Sequence, residues 1–253
     1  MAPTLRKQYL LGLLLALTPL TPLAQQVSVA VASNFIAPMQ EIAAAFERQS
    51  GHRTVVSSGS SGKLYAQIRN GAPFQVFLSA DRDKPAALER VRLAMANTRF
   101  TYALGTLVLL TSSSQADPEA MLQNGHYRKL ALANPRLAPY GAAAMEALSA
   151  LNLTDQAMPR LVLGENIAQA FQFISSGNAQ LGFVARSQIA RDKSFDGRYW
   201  LVPAALYRPI RQDAVLLKRG ADNPAARALL EFLRDETAIA IMRDFGYGQP
   251  GEE

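Results

Sequence analysis

Residues 57–81 read SSGSSGKLYAQIRNGAPFQVFLSAD. The stretch opens with six positions, Ser57 to Gly62, that are only serine or glycine. No side chain there can join a core, yet hydroxyls are plentiful and the backbone can come close to a ligand. Directly behind, Leu64 and Ile68 stand among the helix formers Lys63, Ala66, Gln67 and Arg69 and predict a short helix. Gly71 and Pro73 stop it. Residues 74–80 then predict a strand that closes on Ser79, Ala80 and Asp81. A serine/glycine loop feeding a helix N-terminus is suited to holding an anion. A flexible turn with an ordinary serine N-cap is the plainer reading of the same residues.

Outward from this stretch, strands and helices alternate over the rest of the chain. Residues 27–32 (VSVAVA) predict a strand, and Ile36, Met39, Ile42, Ala43 and Phe46 recur at the spacing of one buried helix face. A strand at 53–56, a helix at 85–95 and a long strand at 102–111 follow. The middle of the chain repeats the order: strand 129–133, loop 134–140, helix 141–151, strand 161–163, helix 167–175, then strands at 180–184 and 200–202. An extended segment at 207–217 precedes helices at 223–235, with Asn223 as N-cap and Pro224 in its first turn, and at 237–245. Such alternation predicts an α/β protein with mainly parallel sheets. The segments 102–111 and 207–217 lack linker composition and flank the middle block. Two crossings of this kind suit two lobes, residues 25–105 with 206–253 as domain I and 106–205 as domain II, with ligands in the cleft between. A single doubly wound domain is compatible with the same composition.

Composition narrows the function classes. The chain has 253 residues, 49% of them hydrophobic, enough for one large domain or two small ones. Residues 1–24 have the pattern of a secretory signal peptide: Arg6 and Lys7, then the apolar run YLLGLLLAL at 9–17, and Ala24 as the last residue before cleavage. That run is too short to span a bilayer stably. The chain contains no cysteine, which removes a lipid-anchor cysteine, disulfides and thiolate chemistry. An exported periplasmic protein is expected. The net charge is +6, of which Arg6 and Lys7 supply two; this mildly favours anions at a distance. The basic residues are scattered and not striped with aromatics, so no nucleic-acid partner is expected.

Four strand-to-helix junctions share one character: Ala32-Ser33-Asn34, Ser60-Ser61-Gly62, Pro139-Tyr140-Gly141 and Glu165-Asn166-Ile167. Each offers unpaired N–H groups at a helix start, and Ser33, Ser61 and Tyr140 add hydroxyls. With about +0.5 of a charge at each helix end, four converging ends would match a doubly charged anion without a Lys or Arg in contact.

In these segments the chain resembles the periplasmic molybdate-binding proteins of ABC transporters, within the two-lobed class II periplasmic binding protein fold. The resemblance is carried by VAVASNFIAPMQEIAAAFE at 29–47, the 57–81 stretch, LALANPRLAPYGAAAMEAL at 130–148 and LVLGENIAQAFQFISSGNAQLGFVARSQ at 161–188, with the C-terminal helix. It spans most of the mature chain in order. The resemblance implies mixed, mainly parallel sheets with two crossover strands, and a molybdate or tungstate oxyanion held by neutral donors. By position, its oxygen contacts fall on Ser33 (hydroxyl and N–H), Ser61 (hydroxyl and N–H), the N–H of Tyr140 and the N–H of Ile167, with Asn34 as a further contact. It implies no cofactor besides the ligand, a monomer, and a membrane ABC permease as partner.

The chain also departs from the family's pattern. Ala185 stands where many members carry a Tyr that donates its hydroxyl, and Tyr140 looks like a relocated aromatic donor. Gln75 replaces a usual Asp, with consequences expected for packing only. A sulfate- or phosphate-type binder is an alternative ligand class. A secreted serine hydrolase using Ser61 or Ser60 is an alternative of another kind, since Ser60 to Lys63 matches S-x-x-K at a helix start. Its companion S-D-N and K-T-G motifs are absent, so a binder and not an enzyme is expected. His52 and His126 have no partner at metal-ligand spacing.

Overall fold

The computed structural model describes residues 24–195 and 198–251. The expected signal peptide therefore lies outside the described residues, apart from Ala24. Among the described residues, ten strands and nine α-helices follow one another, in an order that keeps the elements read from the sequence and adds short helices at 118–123 and 154–157 that were not expected. The first group is β1 (Gln26–Ala32), α1 (Ile36–Ser50), β2 (Arg53–Gly59), α2 (Ser61–Arg69), β3 (Val76–Leu78), α3 (Asp83–Arg90) and β4 (Phe100–Gly105). The middle block holds β5 (Leu107–Thr111), α4 (Pro118–Gln123), β6 (Leu130–Ala133), α5 (Pro139–Ala150), α6 (Thr154–Ala157), β7 (Leu161–Gly164), α7 (Ile167–Ser175), β8 (Leu181–Ala185) and β9 (Tyr199–Leu201). The chain closes with β10 (Ile210–Leu216), α8 (Pro224–Phe232) and α9 (Glu236–Asp244).

The strands form two five-stranded sheets, ordered β2-β1-β3-β10-β4 and β7-β6-β8-β5-β9. β1 pairs in parallel with β2 and β3, while β10 runs antiparallel to β3 and β4. The second sheet repeats the mixture: β6 is parallel to β7 and β8, and β5 is antiparallel to β8 and β9. The fold is thus two-lobed, with the chain leaving the first sheet after β4 and returning to it at β10.

Both sheets are covered on both faces, which is why their central strands read as near-continuous apolar runs. Val29 and Val31 of β1 pack with Met39, Ile42 and Phe46 of α1 and with Leu229 and Met242 from the C-terminal helices. Ala30 between them packs on the opposite side with Leu64, Ile68, Phe77 and Leu88. In the second sheet Leu107, Leu109 and Leu132 meet the alanine face of α5 at Ala143, Ala144 and Ala147, and Val108 and Leu110 meet Ile174 of α7. Small residues let α5 lie close to the sheet: a Cβ added at Gly141 would stand 2.0 Å from the Ala133 carbonyl oxygen.

Several expected boundaries change, three of them with consequences for the site or the sheets. The single strand expected at 102–111 is two strands in different sheets, because the chain changes sheet at Thr106 between β4 and β5. The helix expected at 85–95 ends at Arg90, and Met95 instead donates its N–H to the Leu216 carbonyl at 2.9 Å. The helix expected from Gly141 starts at Pro139, which places Tyr140 in its first turn and not in a loop. Gln75 proves to be a polar tie: its side-chain oxygen accepts the Ser28 N–H at 3.0 Å and the Asn223 amide at 3.0 Å, joining β1 to the start of α8.

Candidate functional site

A small pocket lies where the two lobes meet. It is lined by Ser33, Asn34, Ser60, Ser61, Tyr140 and Ile167, with Ala32, Gly59, Ala80, Ala138 and Pro139 between them. All five sequence-predicted site residues are brought together here, although they come from four junctions spread over more than half of the chain. About 10 Å³ is open to the centre of a water-sized sphere, far below the roughly 300–1,000 Å³ of an organic-ligand site. No lining residue is charged.

The first-turn N–H groups of a helix have no intrahelical acceptor, and at three helix starts they can be followed one by one. In α2, Lys63 N–H is taken by the Ser60 hydroxyl oxygen, Gly62 N–H by the Leu137 carbonyl and Leu64 N–H by the Ser60 carbonyl, leaving that of Ser61. In α5, Pro139 has no N–H, and Gly141 and Ala142 both donate to the Ala138 carbonyl, leaving that of Tyr140. In α7, Asn166 Oδ1 accepts from Ala168 and Gln169, and Ala170 donates to the Asn166 carbonyl, leaving that of Ile167. Each helix keeps one N–H over, on a residue that lines the pocket. The fourth junction is a 3-10 turn at Ser33–Phe35 that has no side-chain cap.

The hydroxyls divide into two kinds. Ser61 is buried, and its Oγ accepts the Ala80 N–H at 2.9 Å, so the Ser61 proton is left for an acceptor. Ser33, 5% exposed, has no side-chain hydrogen bond among the described residues. Ser60 is already used as the α2 cap. A pocket edged by surplus donors and lacking positive side chains suits a small, acceptor-only group such as an oxyanion.

Asn34 plays a different part. Its side-chain amide donates to Gln212 Oε1 at 2.8 Å and to the Tyr247 hydroxyl at 2.9 Å, so it is turned into the protein. Tyr247 also donates towards the Asn34 carbonyl at 2.8 Å, as does Ser187 from the other lobe at 2.8 Å. The Tyr140 hydroxyl faces the same network: it accepts from Gln212 Nε2 at 3.3 Å and lies so close to Gly105 that a Cβ there would stand 2.3 Å away. Tyr140 thus presents its backbone to the pocket and its hydroxyl to the crossover strand. Burial, before neighbouring tyrosines, pushes the Tyr140 hydroxyl well above the usual tyrosine range, and burial does the same to Tyr102 and Tyr247. Ala185, where a tyrosine donor would be looked for, is buried with its N–H on Gln188 Oε1 and does not line the pocket.

Residues 27–248 match the bacterial extracellular solute-binding protein family. The chain belongs to that family. Within it, the chain is 49% identical over 228 residues to the molybdate-binding protein ModA of Azotobacter vinelandii, covering 89% of this chain and 90% of that one. It is 44% identical to the molybdate-binding protein ModA of Rhodobacter capsulatus, over 88% of each chain. The solved structure of the Azotobacter vinelandii periplasmic molybdate-binding protein superposes with a TM-score of 0.84 at 39% identity, covering 88% of this chain and 99% of that one. These relatives are named as binding proteins, in keeping with a solute-binding pocket between two lobes.

Sequence reading missed Gln212, Tyr247, Ser187 and the Ala80 N–H. These groups hold the site without carrying a local motif: each meets its partner across at least 19 residues of chain.

Proposed function

We propose that this chain is a periplasmic solute-binding protein that captures molybdate or tungstate as a tetrahedral dianion and passes it to a membrane ABC permease. The observation that carries the reading is the trio of single surplus N–H groups, at Ser61, Tyr140 and Ile167, around one pocket with two serine hydroxyls. The partial positive ends of α2, α5 and α7 offset the charge of the ion. Neutral donors fixed at set positions favour one size of anion, whereas a lysine or arginine in the pocket would accept many. The protein acts as a monomer, without a cofactor, and makes no covalent bond to its ligand. A serine hydrolase is disfavoured because Lys63, the base an S-x-x-K reading needs, points away to Glu165 at 2.8 Å.

The test is a thermal shift on protein freed of ligand beforehand. A ligand confined to the folded, closed form stabilises it by about 2.7 kcal/mol at roughly a hundredfold excess over Kd. For a chain of this size that raises Tm by roughly 5–10 °C. Molybdate and tungstate should produce the rise, unaffected by chelator, and sulfate and phosphate at equal concentration should produce little. An equal rise with sulfate would refute size selection. No rise with any oxyanion, together with turnover of an ester or amide substrate, would replace the binding reading with the hydrolase.

A further inference from the structure

The S-G-K tripeptide at the start of α2 has one residue in the pocket and two that reach the opposite lobe. The Gly62 N–H donates to the Leu137 carbonyl at 2.8 Å. Lys63 Nζ meets Glu165 Oε1 at 2.8 Å, both side chains about half exposed on the rim. Leu137 precedes α5 and Glu165 precedes α7, the two second-lobe helices whose starts bear Tyr140 and Ile167. Neither Lys63 nor Glu165 lines the pocket. The geometry points to a clasp: Gly62 and Lys63 hold the lobes shut over the oxyanion and so raise affinity as positioning residues, without touching the ligand.

This rests on the oxyanion-binding reading for its effect on affinity, but the contact itself does not. Two lobes that bind an ion between them have an apparent affinity scaled by the fraction able to close. Contacts present only in the closed form raise that fraction and slow release. Gly62 is suited to the place because a Cβ there would lie 3.0 Å from both the Cα and the carbonyl oxygen of Leu137. A side chain there makes the Leu137 backbone of the opposite lobe give way by a few tenths of an ångström. Gly62 lies in the first turn of α2 with no positive φ, so alanine suits the isolated lobe. The Lys63–Glu165 pair is an exposed one and adds a modest, salt-sensitive share.

Two measurements test the clasp. Zero-length carbodiimide coupling of the wild-type protein, read by peptide mass, should join the Lys63 amine to the Glu165 carboxyl, with higher yield in saturating molybdate. Absence of that peptide in both conditions would overturn the clasp. Its formation in a protein that binds no oxyanion would support the contact and sink the proposed function instead. Calorimetry with molybdate then compares variants. Gly62→Ala should weaken binding about ten- to hundredfold with no loss of ligand-free Tm. Lys63→Glu and Glu165→Lys should each weaken it about three- to tenfold at low salt, and the double exchange should restore most of the loss. If Lys63 instead acted by attracting the anion, Glu165→Lys alone would tighten binding, and the double exchange would show only the sum of the two single effects with no coupling between them. That pattern, or wild-type affinity in Gly62→Ala, would refute the clasp.

Discussion

At Ser61 the hydroxyl is shared between the fold and the pocket. Its oxygen is fixed by the Ala80 N–H, and a hydroxyl held that way can point its proton in few directions. Ser33 has no such anchor. The two alanine variants should therefore differ in one respect and agree in another. Each loses a hydrogen bond to a charged ligand, worth roughly 1.5–3 kcal/mol, so molybdate binding by calorimetry should weaken about ten- to hundredfold in both. Only Ser61→Ala also strands a buried N–H, and only it should lower the ligand-free Tm. Tyr140→Phe should leave affinity within about twofold of wild type, because the hydroxyl sits on Gln212 and not in the pocket. A loss matching Ser61→Ala would show that the hydroxyl reaches the ligand.

The elements that matter are three helix starts brought to one point. Two of the caps are legible in the sequence, Ser60 before α2 and Asn166 before α7, whereas Pro139 falls in the loop expected at 134–140 and proves to stand in the first turn of α5. What could not be read is which N–H each cap leaves over, since that depends on acceptors such as the Leu137 carbonyl from the opposite lobe. α5 depends most on close approach. Gly141→Ala places a Cβ against the Ala133 carbonyl and must displace the helix start, carrying the Tyr140 N–H with it. We expect a destabilisation of about 1–3 kcal/mol in urea unfolding together with loss of molybdate binding. Retention of wild-type affinity in that variant would show that the α5 start is not part of the site. Asn166→Ala should act more gently, lowering stability by about 1 kcal/mol as an N-cap loss.

Across the whole molecule the two lobes are joined by a buried polar network behind the pocket. Asn34, Gln212 and Tyr247 of the first lobe meet Tyr140 and Ser187 of the second, and Tyr102 donates to Gln212 at 3.1 Å. Burial holds the hydroxyls of Tyr102, Tyr140 and Tyr247 protonated above the usual tyrosine range. Unfolded tyrosines ionise near pH ~10. Above that pH the unfolded chain releases protons that the folded chain keeps, so the unfolded state binds fewer and stability falls as pH rises. Below it these groups contribute no pH dependence. Denaturant midpoints between about pH 8 and pH 11 should fall only on the alkaline side, and Tyr247→Phe should soften the fall. A fully buried acid adds a second test: Asp213 accepts from Arg99 and Thr101 at 2.7 Å each. Asp213→Ala removes the hydrogen bonds of Arg99 and Thr101, although Arg99 keeps Glu89 at 2.7 Å, and should lower stability by roughly 1.5–3 kcal/mol.

The sequence by itself determined most of the order of strands and helices, though not the short helices α4 and α6, because apolar spacing and cap residues act over a few positions. It also determined which junctions could offer donors: Ser33, Ser61, Tyr140 and Ile167 all lie where a strand gives way to a helix. Tertiary structure decided the split of 102–111 into two strands, since a change of sheet at Thr106 leaves no mark on an unbroken apolar run. It decided as well that Asn34 and the Tyr140 hydroxyl turn inward, because Gln212 and Tyr247 reach them from 178 and 72 residues away for Gln212 and 213 for Tyr247. Partners at such separations are chosen by how the lobes pack, and local residue pattern carries no record of that choice.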